Sequence, residues 1–354
     1  MGGAEYSLLE SLRYLSNTSI SIHIACSTKQ VLFWYINLLP VHVHDIYLPY
    51  LYKKTSFKIW MEIIKASIKL YQLVQKENIQ VIYCNTFRSL PFCLFIKWFC
   101  KLKIVCHCRD HVPSLFVRFM IRIMTDECIA VSSVIQKELP RSSKIPIIHN
   151  GVNPLLFQKS GTSQFLIKQY HLPNHTQLIG NIGQIVPWKN QIDYLKVAAH
   201  LLREYQNLHF FLVGAIVDND YFLILKQQIQ LLGLEPCITF TGQVENIADY
   251  LSDFTVVLHT ALNEPFGRVL IEAAASAKPV VAYASGGPSE IIENGKTGFL
   301  VADGDIKTMA ELTVRLLDNI DLRTSMGQSA REHVIRHFNS KDYSRKVYQI
   351  LAHD

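Results

Sequence analysis

The sequence lacks a long uncharged hydrophobic run, and this absence argues against a helix that spans a membrane. Such a helix needs roughly 18 or more mainly apolar residues, but three lysines interrupt the most apolar stretch, residues 90–106. The first residues also lack the basic segment that opens a secretory signal. From these two absences we predict a cytoplasmic protein.

The cysteines lack the spacing of a disulfide framework or of a metal site. Seven of the eight lie in the first half of the chain, mostly among apolar neighbours, as expected for buried thiols in a reducing compartment. Cys106 and Cys108 flank His107, but on a strand His107 points to the opposite face, so the three side chains do not converge on one ion. We therefore predict no metal ion at these residues.

Charged residues are few, at 18%, whereas 49% of the 354 residues are hydrophobic. A chain of this length exceeds one ordinary core and suits two domains. Short apolar segments such as 103–107 and 209–213 alternate with amphipathic segments of helical period such as 57–75 and 191–204. This alternation predicts an α/β protein with two doubly wound, Rossmann-like domains.

The predicted boundary between the domains lies where the apolar segment that ends at Ile148 runs into Asn150, Gly151 and Pro154. Residues 1–150 form the first predicted domain and residues 151–337 the second. Open parallel sheets bind ligands at the carboxyl ends of their strands, so we expect the site in the cleft between the two domains.

Basic residues are concentrated in the first half of the chain. Residues 1–150 hold 18 Lys and Arg against 9 Asp and Glu, which leaves 17 against 20 of the chain's 35 and 29 for the rest. Lys53, Lys54 and Lys58 stand beside the aromatic segment Tyr47–Tyr52, and this combination predicts a peripheral contact with an anionic membrane. A solvated basic face explains the same charge. No nucleic-acid-binding motif accompanies it, so we predict no nucleic-acid partner.

Two glutamates eight residues apart flank the start of a predicted helix. Glu264 follows a predicted strand that ends at His259, and the helix begins near Gly267. Glu272 lies eight residues after Glu264, about two turns along one face. The first N–H groups of a helix are unpaired and can hold a diphosphate, and a carboxylate can accept hydrogen bonds from two vicinal sugar hydroxyls. A helix cap and an exposed acid are the alternatives, but Glu272 stands in an otherwise apolar segment, where an unpartnered acid is costly.

The pattern Glu264-x7-Glu272 encloses Pro-Phe-Gly and is followed by Gly286-Gly-Pro-Ser-Glu290. In this it resembles the donor site of the retaining GT-B glycosyltransferases of family 4. The resemblance extends over nearly the whole chain. It includes the family's first loop, its interdomain Asn-Gly-Val-Asp pattern, its phosphate loop and its C-terminal helix, at residues 2–5, 150–153, 183–191 and 338–351.

The resemblance implies a GT-B fold and metal-independent transfer of a hexose with retention of anomeric configuration, with no cofactor. The donor would be a UDP- or GDP-linked sugar, and the acceptor a glycan or a lipid-linked sugar. The helix at about 338–354 would pack back on the first domain.

The resemblance also implies roles for individual residues. Glu264 would hold the hexose, Lys189 would neutralise the diphosphate, and His107 would lie at the acceptor-side lip of the cleft; these three form the implied catalytic set. Glu272 would hold the ribose hydroxyls. The other implied donor-binding residues are Gly267, Phe266, Arg268, Gln184, Gly286, Gly287, Gln243 and Val244, and the implied acceptor-side residues are Gly2, Gly3 and Arg109.

Two departures from the family pattern affect these expectations. The phosphate loop has Gln184 where the family usually has Arg, so one positive charge on the leaving diphosphate is missing. The family's first loop follows a central strand, whereas here it begins at Gly2 and a helix is predicted over residues 4–15. We therefore predict that the first domain lacks its first strand.

These departures leave alternatives open. One is a non-catalytic or partner-dependent relative that binds a nucleotide sugar and has a truncated first domain. Another is a different GT-B enzyme, such as an epimerase or a phosphorylase. A nicotinamide-dependent dehydrogenase is disfavoured, because no Gly-x-Gly-x-x-Gly follows a first strand.

Overall fold

A computed structural model describes residues 2–28, 31–49, 57–140, 144–158 and 164–352. The chain divides into two compact units. Unit 1 comprises Met1–Gly151 and Ser340–Asp354, and unit 2 comprises Val152–Asn339. Parallel strands alternate with helices in both units, as the alternation of apolar and amphipathic segments predicted.

Unit 1 starts with a helix, after which short strands and helices alternate. Its elements up to the end of the first segment are α1 (Gly3–Leu15), β1 (His23–Cys26), α2 (Val31–Ile36), β2 (His42–Asp45), α3 (Phe57–Lys76), β3 (Val81–Cys84), α4 (Leu94–Phe99), β4 (Lys103–Cys108), α5 (Leu115–Met124), β5 (Glu127–Ala130) and α6 (Ser133–Glu138).

The strands of unit 1 form two parallel sheets, β1–β2 and β3–β4–β5. Within the described ranges no strand joins β1 to β3. β4 has a neighbour on both sides and is almost fully buried, whereas β1 and β3 are mostly half-buried. In the described part of the chain, β1 and β3 therefore each have one edge without a strand partner.

Helices cover both faces of the β1–β2 sheet. Leu9 and Leu12 of α1 share a core with Cys26, whereas Ile63 of α3 shares another with Ala25. Neighbouring residues of a strand point to opposite faces, so α1 and α3 lie on opposite sides of β1.

Unit 2 contains one six-stranded parallel sheet in the order β11-β10-β9-β6-β7-β8. The strands are β6 (Gln177–Ile182), β7 (Leu208–Val213), β8 (Ile238–Gly242), β9 (Val256–His259), β10 (Val280–Tyr283) and β11 (Phe299–Val301). The helices are α7 (Phe165–Gln169), α8 (Gln191–Leu201), α9 (Asn219–Leu232), α10 (Ile247–Asp253), α11 (Arg268–Ala275), α12 (Pro288–Ile291), α13 (Ile306–Asp318) and α14 (Ile320–His337).

The last helix, α15 (Ser340–Ala352), belongs to unit 1. The Ser344 hydroxyl donates to the carbonyl oxygen of Glu10 in α1 at 3.2 Å. Tyr343 and Val347 share a core with Val105 of β4. The C-terminal end of the chain is thus packed on the N-terminal helix and on the β3–β4–β5 sheet.

Local sequence signals explain the ends of the elements in unit 2. The carboxylate of Asp218 accepts from the N–H of Tyr221 at 2.9 Å and caps the start of α9, which ends at Gly233 with φ +65°. β7 is buried at every position, as its mostly apolar sequence requires for a strand covered on both faces.

β6 lies where the strand order of unit 2 reverses. β7 and β8 continue the sheet on one side of it, and β9, β10 and β11 on the other. Because all six strands are parallel, the loops after β6, β9 and β10 leave the same edge of the sheet. Doubly wound sheets bind ligands outside this edge, at the reversal.

Candidate active site

Three loops meet at the carboxyl edge of the unit 2 sheet. The loop after β6 carries Lys189, the loop after β9 carries Glu264, and the loop after β10 carries Gly286. Glu264 and Gly286 form an isolated parallel bridge, in which the Gly287 N–H donates to the Glu264 carbonyl oxygen at 2.8 Å. The second and third loops are therefore fixed to each other through their backbones.

Glu264 is a buried carboxylate with a cation beside it. Lys189 Nζ lies 2.5 Å from its Oε2, and both side chains are largely shielded from solvent. Lys189 Nζ also lies 4.1 Å from the centre of the Trp188 ring, an arrangement that favours a cation. The ion pair joins the loop after β6 to the loop after β9.

His259, the last residue of β9, is the second group at this carboxylate. Its Nε2 lies 3.2 Å from Glu264 Oε2 without forming a hydrogen bond to it. Burial lowers the pKa of His259 and outweighs the carboxylate beside it. The ring is therefore neutral at pH 7.

The charge state of Glu264 follows from these neighbours. Burial by itself raises the pKa of its carboxyl, but the charge of Lys189 and the contact with His259 outweigh burial and lower the pKa to about 2. Glu264 is thus a fixed negative charge at the carboxyl edge of the sheet, and as an ionised carboxylate it can accept hydrogen bonds from hydroxyls.

The glycine pair after β10 is required by close backbone contacts. A Cβ on Gly286, whose φ is +83°, would lie 2.4 Å from the Glu264 carbonyl oxygen. A Cβ on Gly287 would lie 2.3 Å from Phe266 Cα. These distances are far inside van der Waals contact, so the loop can carry no side chain at either position.

The N-terminus of α11 faces this edge through Gly267, which has φ +95° and no side chain with which to cap the helix. Arg268, the first residue of α11, donates from its Nε to Oε1 of Glu272, one turn further along, at 2.7 Å, and both side chains are mostly buried. Arg268 thus orients the Glu272 carboxylate. Phe266, just before the glycine, is buried, with its ring centre 6.0 Å from that of Phe338.

The remaining predicted donor-binding residues are more exposed. Gln184 follows β6 with an exposed side chain, while its carbonyl oxygen accepts from Gln191 Nε2 at 2.9 Å. Gln243 is exposed and Val244 half-buried in the loop after β8, at the same edge of the sheet. The roles predicted for these residues stay predictions.

The residues predicted to face the acceptor belong to unit 1. The side chain of His107 is fully buried on β4, where its Nδ1 lies 2.8 Å from the Tyr83 hydroxyl and 3.1 Å from Arg109. Burial and the Arg109 charge hold the pKa of His107 well below its usual range. His107 would have to become exposed before it could touch a sugar, and its predicted role stays a prediction.

Arg109 is also buried, and it connects several segments of unit 1. Its guanidinium donates to the Tyr343 hydroxyl at 2.7 Å, to Asn85 Oδ1 at 3.1 Å, and to Asn150 Oδ1. These contacts tie β4 to the loop after β3, to the end of unit 1 and to α15. Gly2 and Gly3 stand at the start of α1, close to the same group, because Asn85 Nδ2 donates to the Ala4 carbonyl oxygen at 3.0 Å.

Sequence reasoning missed His259 and Trp188 as neighbours of Glu264 and Lys189. Trp188 precedes the lysine directly, and an aromatic residue beside a cation is a readable signal. His259 stands five residues before Glu264, at the last position of a strand that ends at the ligand-binding edge. Its position could have suggested a site residue, but its contact depends on the turn between them.

Two further properties concern metal binding and the crossing of a membrane. Among the described residues, no three His, Cys, Asp or Glu side chains are grouped so that they could hold a metal ion. In the same part of the chain, no helix has both the length and the hydropathy to cross a membrane.

Two family models match the chain, one in each half. Residues 1–154 match "Glycosyltransferase Family 4", and residues 162–333 match "Glycosyl transferases group 1". The first match covers most of unit 1, and the second covers the loops that carry Lys189, Glu264 and Gly286.

Individual relatives extend over most of the chain. It is 28% identical to the N-acetyl-alpha-D-glucosaminyl L-malate synthase of Bacillus anthracis, over 81% of this chain and 79% of that protein. It is 24% identical to the capsular polysaccharide biosynthesis glycosyltransferase CapM of Staphylococcus aureus, over 93% and 89%. The crystal structure of Anabaena Alr3699/HepE with UDP and glucose superposes with a TM-score of 0.86 at 22% identity and covers 99% of this chain and 96% of that one. With both halves matched and the fold shared, the chain belongs to the GT-B glycosyltransferases of family 4, group 1.

Proposed function

We propose that the protein transfers a hexose from a nucleoside-diphosphate sugar to a glycan or lipid-linked acceptor with retention of anomeric configuration. The observation that carries the proposal is the buried Glu264 carboxylate paired with Lys189 at the strand reversal of unit 2. Glu264, a fixed negative charge for sugar hydroxyls, and Lys189, a cation for phosphate, are thus in direct contact.

The donor is held by backbone and side chains together. Its diphosphate lies at the N-terminus of α11, where the helix dipole favours negative charge. The space above Gly286 and Gly287 lets the sugar approach the backbone, and Glu264 accepts hydrogen bonds from the hexose hydroxyls. Glu272, oriented by Arg268, accepts from the ribose hydroxyls.

In the reaction, the bond between the anomeric carbon and the diphosphate oxygen breaks, and a bond from that carbon to the acceptor oxygen forms on the same face. The acceptor hydroxyl loses its proton to the departing nucleoside diphosphate. Lys189 turns from Glu264 to the diphosphate and stabilises the charge that develops there. With this cation and the helix dipole in place, the transfer needs no added metal ion.

The choice of nucleotide and acceptor rests on relatives. The structure of Anabaena HepE holds UDP and glucose, which favours a uridine donor over a guanosine donor here. The name of CapM refers to capsular polysaccharide biosynthesis, which favours a surface glycan or its lipid-linked precursor as the acceptor. Acceptor contacts would come from unit 1, with Gly2, Gly3, His107 and Arg109 at or behind the acceptor, in a cytoplasmic protein that associates with a membrane surface.

The proposal is tested by turnover. The protein is incubated with UDP- and GDP-linked hexoses, with and without acceptor glycans, and release of the nucleoside diphosphate is measured in the presence of excess chelator. We expect release from at least one donor, with the anomeric configuration of the product kept. Glu264→Ala should lower the rate by about a hundredfold or more, whereas the exposed-surface control Glu311→Ala should leave it unchanged.

The outcomes separate this proposal from its rival. The rival is a non-catalytic relative, which the replacement of a cation by Gln184 suggests. Tight binding of the donor without release of nucleoside diphosphate, in the presence of every acceptor tried, would favour that rival. Complete loss of activity on chelation, restored by a divalent ion, would contradict the metal-independent mechanism.

A further inference from the structure

Two neighbouring helices of unit 1 expose large apolar side chains. On α5, Leu115 is 81% exposed and Phe116 69%, with Phe119 beside them; on α4, Trp98 is 73% exposed. Both helices contact the 3-10 turn at Phe87–Cys93, so they are neighbours in the fold. Contiguous exposed apolar surface in a folded protein marks an interaction site. The term aromatic face refers below to Leu94, Trp98, Phe99, Leu115, Phe116 and Phe119.

The exposed residues of α5 form one stripe. Leu115, Phe119 and Ile123 follow the spacing of four that places residues on one side of a helix, and Arg122 lies at the edge of the same stripe. The opposite side of α5 is buried through Ile121 and Met124. The helix therefore has two apolar sides, only one of which is covered by the described residues of unit 1.

The charges around the aromatic face are mainly basic, although Lys97 of α4 pairs with Asp126 at 2.6 Å. Residues 94–124 contain six basic residues and a single acid, Asp110, and neither α4 nor α5 contains an acidic residue. Lys101 and Arg122 have exposed side chains. The next helix, α3, packs on α4 and also exposes Trp60 and Lys69, whereas its exposed Lys65 pairs with Glu62 of the same helix at 3.0 Å.

Aromatic residues with a basic rim match an anionic bilayer. Trp and Phe side chains enter the boundary between head groups and acyl chains, while Lys and Arg pair with anionic head groups. A protein partner of ordinary composition would have to supply acidic residues around an apolar centre, whereas an anionic membrane supplies both across its whole surface.

We infer that the aromatic face docks unit 1 on an anionic lipid bilayer, with α4 and α5 lying in the interface plane. This goes beyond donor chemistry and would hold even if the donor assignment failed. The inferred contact differs from the one predicted at Tyr47–Tyr52 with Lys53, Lys54 and Lys58, which stays a prediction because residues 50–56 lie outside the described part of the chain.

The test is sedimentation of the full chain with vesicles of phosphatidylcholine alone and of phosphatidylcholine mixed with phosphatidylglycerol. We expect co-sedimentation with the anionic vesicles only, and its loss at high salt, because exposed charges are screened there. The double variant Phe116→Ser/Phe119→Ser should bind at least tenfold more weakly. The matched control is Leu231→Ser on α9 of unit 2, where Leu231 is 77% exposed, and it should bind as the parent does.

Both variants replace exposed side chains, and an unchanged melting temperature verifies that they fold. Equal sedimentation with neutral and anionic vesicles would overturn the inference, as would undiminished binding of the Phe116→Ser/Phe119→Ser variant. A parent protein that binds no vesicles but forms a dimer, which the Phe116→Ser/Phe119→Ser variant dissociates, would also overturn the inference. That result would assign the aromatic face to a second copy of the chain.

Discussion

Lys189 is the cation that the structure places at Glu264, and Gln184 stands where the family pattern has a second one. Lys189→Ala should therefore abolish turnover almost completely and also destabilise unit 2 by about 3 kcal/mol, because it leaves a buried carboxylate without its cation. Steady-state rates with the preferred donor and a urea titration measure the two effects. Near-normal turnover of Lys189→Ala would mean that the phosphate is held elsewhere.

Gln184→Arg tests the same loop in the opposite direction. Its exposed side chain has room for a guanidinium, and a charge-assisted contact to phosphate is stronger than a neutral one. We expect faster turnover by up to about tenfold, without a change in the preferred sugar. A slower enzyme would show that the loop is built around glutamine.

His209 gives the clearest pH dependence of stability. It is buried on β7, and burial lowers its pKa from its usual value to about 4. Below pH 6.5 the unfolded chain takes up a proton that the folded chain refuses, so stability falls as the pH falls toward 4. The loss at pH 5.5 is about 1 kcal/mol from this group. Urea titrations at pH 7.5 and 5.5 should show a smaller difference for His209→Gln than for the parent, and an equal difference would contradict the assignment.

At the residue scale, the sequence was informative where the chemistry depends on near neighbours. Glu264 and Glu272 were found because both flank the start of one helix, and the structure places them there. The pairing of Glu264 with Lys189, and the burial of His107 and Arg109, depend on residues far apart in the chain. A pattern within one segment of the sequence cannot predict those contacts.

Among the elements, the loop after β10 depends most strictly on its sequence. Gly287 has an ordinary backbone conformation, but an added Cβ would meet Phe266 at 2.3 Å. Gly287→Ala should cost about 3 kcal/mol and weaken donor binding, because the backbone of the Glu264 loop must move. The control is Gly295→Ala, which has φ +78° and no atom within 4 Å of the new Cβ, so only backbone strain of about 1 kcal/mol applies. Equal melting temperatures for the two variants would contradict this packing.

The two sheets of unit 1 predict uneven protection of backbone amides. β4 pairs with a strand on each side, whereas β1 and β3 each have one edge without a strand partner in the described part of the chain. Hydrogen exchange at neutral pH should therefore be slower in β4 than in β1, and slower still in β6 and β7 of the complete sheet. Uniform protection across β1 and β4 would show that another segment covers the edge.

Element boundaries followed the apolar pattern closely in several places. The helix predicted over 57–75 spans Phe57–Lys76, and the strand predicted over 103–107 spans Lys103–Cys108. β2 was not predicted, because its alternating His42 and His44 give a weak strand signal in a segment only four residues long. The sheet order could not be read from the sequence either, because it depends on pairing between strands distant in the chain.

At the scale of the whole molecule, charge and chemistry are divided between the two units. The basic residues predominate in the first half of the chain, whereas the Glu264–Lys189 site belongs entirely to unit 2. This division means that membrane docking and donor binding can be measured independently in the full chain. Of these two properties, donor binding is the one on which the proposed activity rests.

The most direct measurement is a calorimetric titration of UDP, with GDP titrated in parallel, into the parent, Glu272→Ala, Glu264→Ala and the control Glu311→Ala. We predict that Glu272→Ala weakens binding at least tenfold, about 1.4 kcal/mol, because Glu272 holds the ribose. Glu264→Ala should bind UDP as tightly as the parent or slightly more tightly, since it releases Lys189 for the diphosphate. If UDP and GDP fail to bind the parent, or if Glu272→Ala binds as tightly as Glu311→Ala, the donor site is not at these loops.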